Sequence, residues 1–265
     1  MSPRRRALLL GVLAAVVLIG LVSGGWVLVH RRAGPGAGGR PDQARPGPVL
    51  LVPGYGGNTG SLAGLAARLR AAGRQASVVP LPGDGTGDLL AQAAALQAAV
   101  QRAGGPSVDL IGYSAGGVVV RLWVDRYDGG RVARRVVTLG SPLHGTQLAG
   151  LGTAVAPDAC PVACQQLVPG SSLLAALDAA PLPAGLPWLS VWTRDDQTVT
   201  PPDSAVLPGA VNVAVQQVCP DAIVQHGQLP SDPLVTGLVL RATGTGPLAT
   251  PGPGDCAALR ALGAA

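Results

Sequence analysis

The segment Gly112-Tyr113-Ser114-Ala115-Gly116 carries the most chemical content in this chain. A serine with glycine two residues before and two after is the pattern of a nucleophile elbow. There a tight strand-to-helix turn lifts the hydroxyl clear of the backbone, and only small residues fit at the flanking positions. Gly112 and Gly116 meet that need, and Gly117 gives the following helix room to approach the strand. With 39 glycines in 265 residues, such a pentapeptide also arises by chance. The flanks therefore decide. SVDLIG at 107–112 is a short apolar run suited to a buried strand, and residues 115–127 suit a helix.

A serine hydroxyl attacks only with a base beside it, and histidine is the usual one. The chain has three histidines. His30 borders an apolar N-terminal stretch and is set aside by location. His144, in Ser141-Pro142-Leu143-His144-Gly145-Thr146, comes before the region of the acid and is expected at the rim of a pocket. His226 follows the last strand in VQHGQLPSDPLV. Elbow enzymes on strand–helix sheets order their triad nucleophile, acid, base, and only His226 allows that order. The chain contains no glutamate, so the acid must be one of its aspartates. In Arg194-Asp195-Asp196-Gln197, Asp196 is preferred and Asp195 is the alternative, with Asp203 a distant third. Asp109, ahead of the nucleophile in the third strand, reads as structural. The loop Pro53-Gly54-Tyr55-Gly56-Gly57-Asn58 follows the first strand, where one backbone donor of an oxyanion hole belongs. The second donor is the residue after the nucleophile, which makes the pair Tyr55 and Ala115. Gly54, Gly56, Tyr113, Leu143 and His144 are expected around the substrate.

These groups need a frame that brings them to one place. From Pro48 onward strands alternate with helices: strands at 48–53, 76–80, 107–112, 134–140, 188–193 and 210–216, and helices at 59–72, 88–103, 115–127 and after Asp232. The first helix places Leu62, Leu65, Ala66 and Leu69 on one face, and Asp88 or Thr86 caps the second. This alternation predicts an α/β fold, a mostly parallel sheet of about six strands flanked by helices. Ligands of such sheets bind beyond the carboxyl ends of the strands.

Ahead of this frame, Ala7 to Val29 is uncharged over 23 residues and follows three arginines. As a helix it would span roughly 35 Å, enough for a bilayer core. It is read as one N-terminal transmembrane signal-anchor (1–29), with a cleaved signal peptide as the alternative; either sends the rest of the chain outside the cytoplasm. Residues 30–47, rich in Gly, Pro and Arg, read as an extended linker, and 48–265 as the folded domain. The four cysteines all follow the span, and export favours disulfides. Three pairings are possible. Cys160–Cys164 with Cys219–Cys256 is preferred, because the first two are close and the second pair would tie the Gly/Pro-rich tail to the body. No metal site is expected from this cysteine spacing or from three scattered histidines. All 19 basic residues are arginine; seven of them, against one aspartate, fall in residues 1–45, which leaves the main domain near neutral. That argues against nucleic-acid binding.

VLLVPGYGGN, VDLIGYSAGG, VVTLGSPLHGT, TRDDQTVTP and QHGQLPSDPLV together resemble the small bacterial lipases and esterases of the lipase class 2 type, over residues 48–240. The resemblance implies a compact α/β-hydrolase fold and cleavage of carboxylic, often fatty-acyl, esters. It implies the triad Ser114, Asp196 and His226 with oxyanion donors Tyr55 and Ala115, and no cofactor. LPGDGTGD at 81–88 is similar to the family too and is expected near the pocket. Pro53 departs from it, since many relatives carry histidine there, and so does 147–187, a stretch expected as a cap or a pocket wall. A lipid or small ester is the expected partner, and a monomer the expected state. The alternatives are acyl transfer or thioester cleavage on the same triad, and a membrane-anchored binding domain whose site is inactive.

Overall fold

The computed structural model describes residues 39–265. The expected membrane span and the first half of the linker lie outside the described residues. Among the described residues, no helix is long and apolar enough to cross a membrane.

Six strands form one sheet: β1 (Val49–Val52), β2 (Ala76–Val78), β3 (Val108–Tyr113), β4 (Ala133–Leu139), β5 (Trp188–Trp192) and β6 (Val211–Ala214). Their order is β2-β1-β3-β4-β5-β6, and every pairing is parallel. A parallel sheet is covered on both faces, so its strands are apolar almost throughout. All seven residues of β4 are buried. Alternation still sorts the side chains. Leu50, Val52, Leu110 and Val136 face helices α2 (Leu89–Ala103) and α3 (Ala115–Arg126). Val49, Leu51, Ile111 and Val137 face α1 (Gly60–Ala71) and the C-terminal helices.

The helices begin where the sequence supplies caps. The Asp88 side chain accepts from Leu90 N–H at 2.9 Å, and α1 buries the predicted Leu62, Leu65, Ala66 and Leu69. Residues 147–187, expected as a cap or wall, form three short helices, α4 (Gln147–Val155), α5 (Val162–Gln166) and α6 (Ser172–Ala179). The sixth strand is shorter than predicted, because the chain turns at Ala214 into a single helical turn, α7 (Val215–Val218). Beyond α8 (Pro233–Ala242), the segment read as a tail ends in a further helix, α9 (Cys256–Ala264). α8 and α9 pack backbone to backbone: a Cβ on Gly263 would strike Pro233 O, and one on Gly237 would strike Leu259 O. Cys219 is bonded to Cys256 and Cys160 to Cys164.

At the amino edge of the sheet, fully buried Asp109 meets Arg134 and Arg74. Arg134 Nε donates to Asp109 Oδ1 at 2.9 Å, and Arg74 Nη2 to Oδ2 at 2.6 Å. The remaining guanidinium N–H groups, with those of Arg135, reach the carbonyls of Ala242, Thr243, Gly244 and Gly246 at the end of α8. Cations at a helix C-terminus meet the negative end of its dipole, which offsets the excess of arginine over aspartate here. Gln43 joins the cluster, donating to Arg134 O and accepting from Arg134 Nη1 and Arg135 Nε. Residues 40–47, read from sequence as linker, are thus fastened to the sheet at that edge.

Candidate active site

All six strands point the same way, so the loops that follow them share one rim. β2 lies on one side of β1 and β3 on the other, and the crevice at this reversal is where open α/β sheets place ligands. The Pro53–Asn58 loop leaves β1 and Ser114 leaves β3, one from each side of that crevice.

Ser114 has φ 52° and ψ −129°, a conformation that costs a non-glycine residue of order 1–3 kcal/mol. Its neighbours make the turn possible. A Cβ on Gly112 would lie 2.5 Å from Gly117 Cα, and one on Gly116 would overlap Val52 O. Ser114 N–H donates to Leu139 O at 2.8 Å, which fixes the elbow to the end of β4. Gly54 passes so close that a Cβ there would stand 2.9 Å from Ser114 Cβ. At Gly56 the space is open and the constraint is φ, +81°.

His226 Nε2 lies 3.0 Å from Ser114 Oγ, and its Nδ1 lies 2.7 Å from Asp196 Oδ2. Asp196 is buried, and its other oxygen accepts from Thr198 N–H at 2.9 Å and Val199 N–H at 2.8 Å. These two amides on Oδ1 orient the carboxylate so that Oδ2 faces the imidazole. Nδ1 then carries the proton toward Asp196, which leaves Nε2 as acceptor for the serine hydroxyl. Asp195, the alternative acid, turns elsewhere: its Oδ2 accepts from Gln216 Nε2 at 3.0 Å and from Val224 N–H at 3.3 Å. Asp203 lies in a separate single 3₁₀ turn, 202–205.

Tyr113 packs beside the His226 imidazole, ring centroids 5.3 Å apart, and its hydroxyl donates to His226 O at 3.3 Å. Burial, and then the nearby charge of Asp196, push the phenol up to about 12. Gly140, at the end of β4, was not singled out by sequence. A Cβ there would lie 3.1 Å from His226 Nδ1 and 3.3 Å from Asp196 Oδ2, so it is the floor under that contact.

A cavity of about 190 Å³ opens at Ser114, walled by Tyr55, Ala115, Pro142, Thr146, Leu148, Ala149, Cys164, Leu167, Thr198 and Val199. The walls are apolar for the most part. Tyr55 and Ala115 thus line the cavity beside Ser114, whereas Gly54, Gly56, Tyr113, Leu143 and His144 are not part of the wall. Leu143 is buried in the core, its carbonyl accepting from Arg121 Nη1 at 3.0 Å. His144 points away, with Nδ1 2.9 Å from Asp178 Oδ1 and Nε2 donating to Val206 O at 2.9 Å. Leu148, Ala149, Cys164 and Leu167 come from the 147–187 stretch expected as a cap or wall, but the sequence did not single them out one by one, because α4, α5 and the two loops share no motif. The 81–88 loop braces the Gly54–Gly57 turn instead, since Gly56 N–H donates to Gly85 O at 3.3 Å. A larger cavity of about 480 Å³, lined by Leu122, Arg126 and Gln165 among others, does not include Ser114.

No family model and no curated protein matches the sequence. Solved structures do match. Lipase B of Aspergillus fumigatus is 20% identical with a TM-score of 0.65; the match covers 86% of this chain and 58% of that one, so this chain spans little more than half the fungal lipase. Lipase BlEst2 of Bacillus licheniformis, in mature form, is 23% identical over 68% of this chain and 86% of its own, with a TM-score of 0.56. MGS-MChE2, an α/β hydrolase from the metagenome of lagoon sediments at Mar Chica, Morocco, is 17% identical over 71% and 87%, with a TM-score of 0.51. Identities this low speak to architecture alone: the chain has the α/β-hydrolase fold, and its neighbours in that fold include bacterial and fungal lipases.

Proposed function

We propose that this chain is a serine hydrolase that cleaves carboxylic esters of fatty acyl chains through an acyl-enzyme, outside the cytoplasm. The observation that carries the reading is the continuous contact from Asp196 through His226 to Ser114 Oγ at the mouth of a mainly apolar cavity. His226 Nε2 takes the Ser114 proton as Oγ attacks the ester carbonyl, while Asp196 holds the ring and stabilises the imidazolium. The amides of Tyr55 and Ala115 receive the oxyanion, aided by the positive N-terminus of α3. The imidazolium protonates the leaving alcohol. A water then gives a proton to His226 and attacks the acyl carbonyl; as the bond to Ser114 Oγ breaks, His226 returns that proton to Oγ and the acid is freed.

The fatty-acyl preference rests on the cavity wall and on its surroundings. Leu148 lines the cavity and is 53% exposed, and it continues along α4 into Leu151 at 62% and Val155 at 80%. An apolar face running out of a substrate pocket suits an ester presented with hydrocarbon around it. Two disulfides and the arginine-flanked apolar stretch 7–29 support an extracytoplasmic domain joined to the membrane by that stretch, or released if it is cleaved. The enzyme works as a monomer without cofactor.

The test is a chain-length series of nitrophenyl acyl esters, with fluorophosphonate labelling of Ser114. Turnover to free acid, together with a label on Ser114 that is lost in Ser114→Ala, is the expected result. Acyl products formed on added alcohols in place of free acid would reassign the reaction to transfer. A chain that neither turns over esters nor takes the label would overturn the proposal.

A further inference from the structure

A base can be no better placed than the backbone that carries it, and misplacement by about 1 Å can cost a catalytic step on the order of 100-fold. The backbone before His226 has little regular support. β6 ends at Ala214, α7 ends at Val218, and 219–225 contains neither helix nor strand. Asp196 grips the ring; a separate set of contacts grips the loop.

Asp195 Oδ2 accepts from Val224 N–H at 3.3 Å, two residues ahead of the base. The same oxygen accepts from Gln216 Nε2 at 3.0 Å. That amide nitrogen also reaches Ala222 O at 3.3 Å and Thr193 Oγ1 at 3.0 Å, while Gln216 Oε1 accepts from Arg194 N–H at 3.1 Å. Within this loop the side of each residue alternates: Ala222, Val224 and His226 are buried, whereas Ile223 and Gln225 are exposed. A one-residue slip would therefore turn the imidazole out of the site.

We propose that Asp195 is a positioning residue for His226: through Val224 N–H, and with Gln216 as its partner, it sets the register of the loop that delivers the imidazole. Two consecutive carboxylates at the end of β5 thus divide the work, Asp196 orienting the ring and Asp195 the chain that bears it. The inference rests on the catalytic reading above and adds a residue that touches none of the reacting atoms.

The experiment compares the full chain with Asp195→Ala, Asp195→Asn and Gln216→Ala on a short-chain nitrophenyl ester, reading kcat and KM separately along with the rate of fluorophosphonate labelling. Asp195→Ala is expected to lower kcat and the labelling rate by about 10- to 100-fold with KM unchanged. Asp195→Asn keeps an oxygen for Val224 N–H and recovers most of the loss. Gln216→Ala falls in between, and the double alanine variant is no worse than Asp195→Ala, since both act through one linkage. If Asp195→Ala fails to fold, Gln216→Ala carries the test. A wild-type chain that labels normally, beside folded variants of unchanged kcat, sinks this inference and leaves the catalytic reading standing. Equal losses in Asp195→Ala and Asp195→Asn sink it too. An inert wild-type chain sinks both.

Discussion

At the amino edge of the sheet, Asp109 is closed in by Arg74 and Arg134; at the carboxyl rim, Asp196 faces His226. Both carboxylates are buried and both are held by short contacts to nitrogen. At the amino edge the chain of contacts closes on itself, because the arginine donors end on Asp109, on Gln43 and Gly47, and on carbonyls at the end of α8. At the rim it stays open at one end, where Ser114 Oγ lies on a cavity. A saturated buried network fixes structure; one with a free end beside a substrate-sized space can pass a proton. The backbones differ in the same sense. The amino edge carries a register shift between Val108 and Asp109 in the β3–β4 pairing, whereas the rim holds Ser114 at positive φ.

Variants at the two ends should therefore separate activity from stability. The largest effect expected is in Ser114→Ala, which should lose up to about 10⁶ in kcat, as serine hydrolase triads do, with an unchanged thermal unfolding midpoint. Asp196→Asn should lose about 10⁴ in kcat, because an amide no longer fixes the tautomer with Nδ1 protonated, and it should still bind substrate. Arg134→Met reverses the pattern. It strips Asp109 of a buried partner and should cost about 3–5 kcal/mol in urea unfolding while kcat per folded molecule holds. A loss of kcat in folded Arg134→Met would break the comparison.

The smallest effect lies in Tyr113, beside the base. Its phenol is raised from 10.0 to about 12, by burial first and the charge of Asp196 second. The folded state thus keeps a proton that the unfolded chain releases, so the contribution to stability is whole below pH 10 and fades as pH climbs toward 12. Spectrophotometric titration should show one phenolate appearing only near pH 12, and Tyr113→Phe should remove that late step. A phenolate from Tyr113 at its ordinary value would mean that the rim is wetter than its packing indicates.

Much of the fold was legible in the chain because it rests on local rules. Apolar runs bounded by Gly and Pro marked the strands, 3.6-residue periodicity marked α1, and an N-cap ahead of an Ala-rich run marked α2. The short cap helices were not legible: five to nine residues carry too little periodicity, and tertiary contacts hold them. The tail helix α9 was hidden by its Gly- and Pro-rich approach, and two glycines let it lie against α8.

By itself, the sequence determined the elbow at Ser114 and the serine–aspartate–histidine order, since the first is steric at a few adjacent residues and the second is the order of strands in a parallel sheet. Only the tertiary structure decided which of two adjacent carboxylates meets the imidazole, that Gly140 lies under their contact, and that Leu143 and His144 turn away from the cavity while Leu148 and Cys164 line it. Those outcomes depend on side-chain directions at the ends of four strands, set by partners as far apart as the 112 residues between Ser114 and His226, which no local pattern encodes.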